Sequence, residues 1–100
     1  MAQPVMTVLE ARIAPEQWAA FQQAYRGGQL PPQMLQAFLV QDAADRSVWR
    51  AVSIWRSREA LDEYRRSVET PAGILFFRSV GAEPTISVFE VIDHQMAPMS

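Results

Sequence analysis

Trp55 ends a run, Val48 to Arg66 (VWRAVSIWRSREALDEYRR), that alternates at period 2 as far as the tryptophan and turns helical at Ser57. A strand feeding directly into a capped helix puts its last aromatic at the mouth of whatever lies between sheet and helices. A pocket could form there. Other chemistry finds little support. The chain has no Cys, which removes thiolate nucleophiles, thiolate metal sites and disulfides. His94 is the one histidine, the side-chain type most often used as a general base. It follows the last predicted strand, where solvation is the simplest reading, and no spacing brings it to a serine. One His and scattered carboxylates do not make a convergent ligand set, so no metal site is expected. No phosphate-cradling Gly loop is present, and Gly27-Gly28 reads as a helix stop.

One hundred residues suit a single domain with one core, and so small a domain gains from an added interface. The net charge of −2 and the absence of a basic cluster beyond Arg65-Arg66 give no footprint for nucleic acid. All nine cations are Arg. The opening residues lack a charged n-region and a long apolar h-region, so no signal peptide is expected. No apolar run approaches the roughly 20 residues of a spanning helix. The expectation is a cytoplasmic protein without membrane or nucleic-acid partners.

Val5 to Ile13 alternates, with Val5, Thr7, Leu9, Ala11 and Ile13 on one face. Pro15 fits a first helical position, and Trp18, Phe21 and Tyr25 form a stripe at i, i+3, i+7 before Arg26 and the glycine pair. Met34–Asp42 and Val48–Arg56 read as strands joined by the polar DAADRS turn. Ser57 caps a helix carrying Leu61, Tyr64 and Val68, in which Asp62 and Arg66 can pair at i, i+4. Thr70-Pro71 restarts a short helix to about Ser79, against which Gly73 and a competing strand through ILFF both count. Thr85–Asp93 is the last strand, and residues 94–100 form a loose tail after a single domain at 5–93.

The order strand, helix, strand, strand, helix, strand is the α+β ferredoxin-like βαββαβ arrangement with a four-stranded antiparallel sheet. Two helices cover one face of such a sheet, yet the strands carry apolar residues on both. Leu35, Ala37 and Leu39 alternate with Met34, Phe38 and Val40; Trp49, Ala51 and Trp55 alternate with Val48, Val52 and Ile54. A second copy is the economical cover, giving a homodimer packed sheet to sheet. Glu10, Arg12, Arg50 and Arg56 then lie on the partner face, where ion pairs across the dimer are expected.

These features resemble the antibiotic biosynthesis monooxygenase family of the dimeric α/β barrel superfamily. The likeness is carried by VLEARIAPEQWAAFQQAY, Trp55-Arg56-Ser57, REALDEY, Thr70-Pro71 and the closing ISVFEVID, and spans about residues 5 to 93. It implies a dimeric α/β barrel with a pocket between helices and sheet. Members include cofactor-independent oxygenases of polycyclic phenols, quinol oxidases and haem-degrading enzymes. Trp55 matches the pocket tryptophan of the haem-degrading members. Their Asn would fall near Leu9 and their proximal His at or beside Tyr64, and this chain has no Asn, so haem is not expected. Many relatives have a His in the second helix, which leaves Tyr64 as its polar substitute; Gln33 stands where Gly is common.

The resemblance nominates Trp55, stacking on a flat ring, and Tyr64, polarising a substrate oxygen, as catalytic. Thr7, Leu9, Phe21, Tyr25, Ser53 and Phe77 would contact a small aromatic ligand, and Arg78 would partner an anion. No cofactor is implied, because an electron-rich phenol, quinol or anthrone can itself reduce oxygen once deprotonated and held dry. Core packing is the competing reading of Trp55, of the Trp18–Phe21–Tyr25 stripe and of Tyr64. Three functions follow: an oxygenase or quinol oxidase, a non-catalytic ligand-binding or stress-response module, and an isomerase or cyclase of the same superfamily.

Overall fold

A computed structural model describes residues 3–98. Four strands, β1 (Val5–Arg12), β2 (Met34–Gln41), β3 (Val48–Trp55) and β4 (Thr85–Glu90), form one antiparallel sheet in the order β2-β3-β1-β4. Three helices accompany it: α1 (Trp18–Arg26), α2 (Arg58–Ser67) and α3 (Ala72–Arg78). This is the expected ferredoxin-like order. Residues 94–98 of the anticipated tail have no regular structure, and 99–100 lie outside the described residues.

Period 2 sets the faces. Val5, Thr7 and Ile13 are buried on the side the helices cover, as are Trp49, Ala51 and Trp55 on the strand paired with β1. Two clusters fill that side. One gathers Ile13, Phe21, Trp49, Ala51 and Phe77 under α1 and α3; the other gathers Val5, Trp55 and Leu61 under α2, flanked by Met34 and Tyr64. Phe21 stacks on Phe76 with ring centroids 4.1 Å apart and meets Trp49 edge-on at 5.7 Å.

Several local expectations change. A bulge between Met34 and Gln36 puts Met34, not Leu35, opposite Trp55, so Met34 joins the covered side and Leu35 is exposed. Pro15 opens a 3-10 turn through Gln17, and the α-helix proper begins at Trp18, whose indole N–H donates to the Ile13 carbonyl at 2.8 Å. Asp62 pairs with Arg58, one turn earlier, at 3.5 Å and not with Arg66. Pro71 is the residue before α3, and its carbonyl accepts from Ile74 and Leu75 N–H. The ILFF segment is therefore helical. Gly73 belongs there because a Cβ would come within 2.6 Å of the Leu9 side chain: glycine lets α3 lie close on β1. Gly81, with φ 78°, makes the turn between α3 and β4. The last strand stops at Glu90, although Val91 N–H still donates to the Pro4 carbonyl at 3.0 Å.

Glu10, Arg12 and Arg50 find partners within the chain. Arg50 bridges Glu10 at 2.6 Å and Asp42 at 2.9 Å, and Arg12 meets Asp45 at 2.7 Å. Arg56 donates to the Pro32 carbonyl at 2.9 Å.

Candidate functional site

Trp55, the last residue of β3, faces Val5 across one ladder and Met34 across the other. Its indole N–H donates to Thr7 Oγ1 at 3.0 Å, a pairing that the shared face of alternate residues makes possible. The Ser57 side chain accepts the Ala60 N–H at 3.0 Å and so starts α2 immediately after the strand. That start sets Tyr64 over Trp55, ring centroids 5.1 Å apart and planes inclined by 41°. The Tyr64 oxygen accepts the Ala72 N–H at 3.0 Å, tying α2 to the first residue of α3. The Trp55 N–H and one Tyr64 lone pair therefore hold the fold. What Tyr64 retains for a ligand is its own hydroxyl proton.

A cleft of about 590 Å³ opens between α1 and β2, near the other end of β3. Gln22, Tyr25 and Arg26 contribute from α1, all of residues 37–41 from β2, including Phe38 and Val40 whose side chains belong to the other sheet face, and the buried Trp49 from β3. The cleft is an open groove beside the edge strand β2, not an enclosed cavity. Tyr25 is half-buried and rests against Phe76 at 5.7 Å. Burial raises its pKa above the ordinary 10.0, so at neutral pH it is a protonated phenol able to donate. Neither a carboxylate nor a histidine lines the cleft, and Arg26 is its one charged lining residue.

Trp49 has the one buried side-chain polar atom without a hydrogen-bond partner among the described residues, its indole nitrogen. The Trp49 ring itself is packed by Phe21 edge-on at 87° and by Trp18 at 60°.

The nominated residues thus fall into separate groups. Thr7, Trp55 and Tyr64 come together. Ser53 lies between Thr7 and Ala37 in the ladders, on the covered face, and so links that group to the inner end of the cleft. Tyr25 lines the cleft itself. Leu9 sits beneath Gly73 of α3. Phe21 and Phe77 are fully enclosed at 0% exposure and present no surface to a ligand. Arg78 is exposed at the end of α3, its Nε 2.9 Å from a Glu83 carboxylate oxygen, and does not line the cleft. Trp49, Ala37 and Leu39 were legible as residues of apolar alternation but not as cleft residues, while Gln22, Arg26 and Gln41 carried no signal. Among the described residues no group of three or more His, Asp or Glu could hold a metal ion, and no helix is long and apolar enough to cross a membrane.

A four-stranded antiparallel sheet with three helices defines a ferredoxin-like α+β domain. The chain belongs to the antibiotic biosynthesis monooxygenase family, whose model matches residues 4–72. Solved structures extend the likeness through α3 and β4. A Chloroflexus aurantiacus protein assigned to this family is 18% identical, with a TM-score of 0.67, covering 93% of this chain and 97% of its own. Rv0793 from Mycobacterium tuberculosis is 19% identical, with a TM-score of 0.65 and coverages of 93% and 99%. SnoaB, a cofactor-independent oxygenase from Streptomyces nogalater, is 15% identical, with a TM-score of 0.58 and coverages of 98% and 100%. At these identities the structures speak for the fold. No curated protein matches the sequence.

Proposed function

We propose that the chain is a cofactor-independent monooxygenase or quinol oxidase acting on a flat phenol, quinol or anthrone held between α1 and the sheet. The observation that carries this reading is the cleft flanked by Tyr25, Leu39 and Trp49 in a member of this family. For an anthrone the balance is simple: one O₂ converts the ring methylene to a ketone, one oxygen atom entering the product and the other leaving as water. The electrons come from the substrate. The protein's work is to bind the ring, exclude water and stabilise the phenolate that forms on deprotonation. Tyr25, protonated and facing no carboxylate, is the donor for that oxyanion. With no lining group that titrates near neutrality, proton removal follows the acidity of the substrate. The rate is expected to rise with pH through the substrate's phenolic pKa and to move with it from one substrate to another.

Oxygen uptake by purified protein against hydroquinones, naphthols and anthrones tests the reading. Tyr25→Phe is expected to fold normally and lower kcat by about 100-fold, the low end of the range for loss of one oxyanion donor. Undiminished turnover would remove Tyr25 from the chemistry.

A ligand-binding module without turnover is the second reading. It is favoured by one observation: the Trp55 N–H is used within the fold, as is one Tyr64 lone pair. Saturable arene binding without oxygen consumption would select it.

The proposed partner is a second copy. Phe38, Val40 and Phe89 are exposed on the sheet face away from the helices, around half-buried Met6, Val8, Val52 and Ile54. The charges beside that patch are already engaged within the chain, Arg50 with Glu10 and Asp42 and Arg12 with Asp45, which leaves the apolar part free to meet a second copy of itself.

A further inference from the structure

We infer that the ligand of the α1–β2 cleft carries an anionic group, a carboxylate on its aromatic frame, which the Arg26 guanidinium receives. The inference rests on the reading that this cleft is the substrate site. Arg26 is the one charged residue lining it, the polar side chains beside it are the neutral amides of Gln22 and Gln41, and no acid lines it to neutralise the cation. Four of the other arginines, Arg12, Arg50, Arg58 and Arg78, each have a carboxylate oxygen between 2.6 and 3.5 Å away, and Arg46, Arg56, Arg65 and Arg66, which have no ion pair among the described residues, do not line the cleft. Arg26 has no ion pair among the described residues.

A cation in the last turn of α1 also suits the helix dipole. That accounts for a positive residue at this position and leaves unexplained why an acidic chain, with a net charge of −2, keeps every carboxylate away from the cleft it lines. A guanidinium stays charged at all working pH values and presents a planar fork that matches a carboxylate. Tyr25 and Arg26 are neighbours on α1 and both line the cleft, so a ring bearing a phenolic oxygen and an acid group would meet a phenol donor and a cation from adjacent residues. Ala37, Leu39 and Trp49 supply the apolar surface for the ring between them.

Calorimetry with 6-hydroxy-2-naphthoate and 2-naphthol, which share ring and phenol and differ in the acid group, tests this directly. The acid is expected to bind roughly tenfold more tightly, as one charge-assisted pair allows, and raised salt should shrink the difference. Arg26→Gln should abolish the preference, bringing the ratio of the two affinities to about one; Arg66→Gln, on the exposed side of α2, should preserve it. Equal affinities in the wild type, or a preference that survives Arg26→Gln, would overturn the inference. If that happened while naphthols still supported oxygen uptake, the oxygenase reading would stand without it. Failure of both ligands to bind would overturn the inference and remove the cleft as an arene site.

Discussion

Trp55 and Thr7 make a buried pair in which each side chain gives the other its reason to be polar. The threonine is 7% exposed and the tryptophan 5%, and the 3.0 Å bond between them joins neighbouring strands. Thr7→Val keeps the shape and strands the indole N–H, which is expected to cost about 1–3 kcal/mol in denaturant unfolding; Thr7→Ser should recover most of it. A Thr7→Val protein as stable as the wild type would show that the bond contributes nothing. Alternation grouped Thr7 with Leu9 and Trp55 with Ala51 within their own strands, and the family resemblance put the two groups on one face. Neither was enough to separate a ligand-facing aromatic from an enclosed one. Phe21 and Phe77 were nominated for the ligand and are sealed, because helical spacing reports which side of a helix faces inward and not whether a neighbour such as Phe76 closes the remaining gap. Tyr25, from the same stripe, escapes enclosure by lying one turn nearer the end of α1.

Most elements were readable from periodicity and caps. Ser57 before α2 and the polar turn before β3 announced themselves chemically. The bulge in β2 did not: an inserted residue leaves the composition of MLQAFLVQ unchanged while exchanging the faces of Met34 and Leu35. Gly73 counted against a helix in sequence, and only the close approach to Leu9 explains it. The β2–β3 hairpin makes its own prediction. Asp42 accepts the Asp45 and Ala44 N–H groups and a guanidinium hydrogen from Arg50, and these bonds, led by that of Asp45, hold its carboxyl down from 3.8 to about 2. Asp45 is lowered as well, by Ser47 first and then Arg12. Because the folded pKa lies below the unfolded one, this contribution to stability is complete above about pH 4 and is lost as pH falls through about 2. Thermal melts between pH 5 and pH 2 should show that loss, with a shallower acid slope in Asp42→Asn. An identical slope in the variant would place the acid sensitivity elsewhere.

At the scale of the molecule, the helices cover one face of β1 and β3 while Ile86 and Val88 of β4 stay exposed on that same side, and the other face shows Phe38, Val40 and Phe89. The uncovered face was anticipated from strands that are apolar on both sides. Ion pairs across a dimer were anticipated with it; within the single chain Arg12 already pairs with Asp45, and Arg50 with Glu10 and Asp42. Period 2 assigns a face but not the loop carboxylates, here Asp42 and Asp45, that reach it. Val52, paired with Val8 and Phe38, lies in the middle of this face. If two copies pack there, Val52→Arg should yield a folded monomer where sedimentation finds the wild type dimeric at micromolar concentration. A wild type that sediments as a monomer would contradict the dimer.

The most direct test of the central claim is turnover of an anthrone or naphthol under ¹⁸O₂ by metal-free protein, with mass spectrometry of the product. The account predicts protein-dependent product carrying one labelled oxygen when an anthrone is oxidised, with the second label in water. Protein-dependent oxidation that requires an added metal or flavin, or none beyond the protein-free rate, would contradict it.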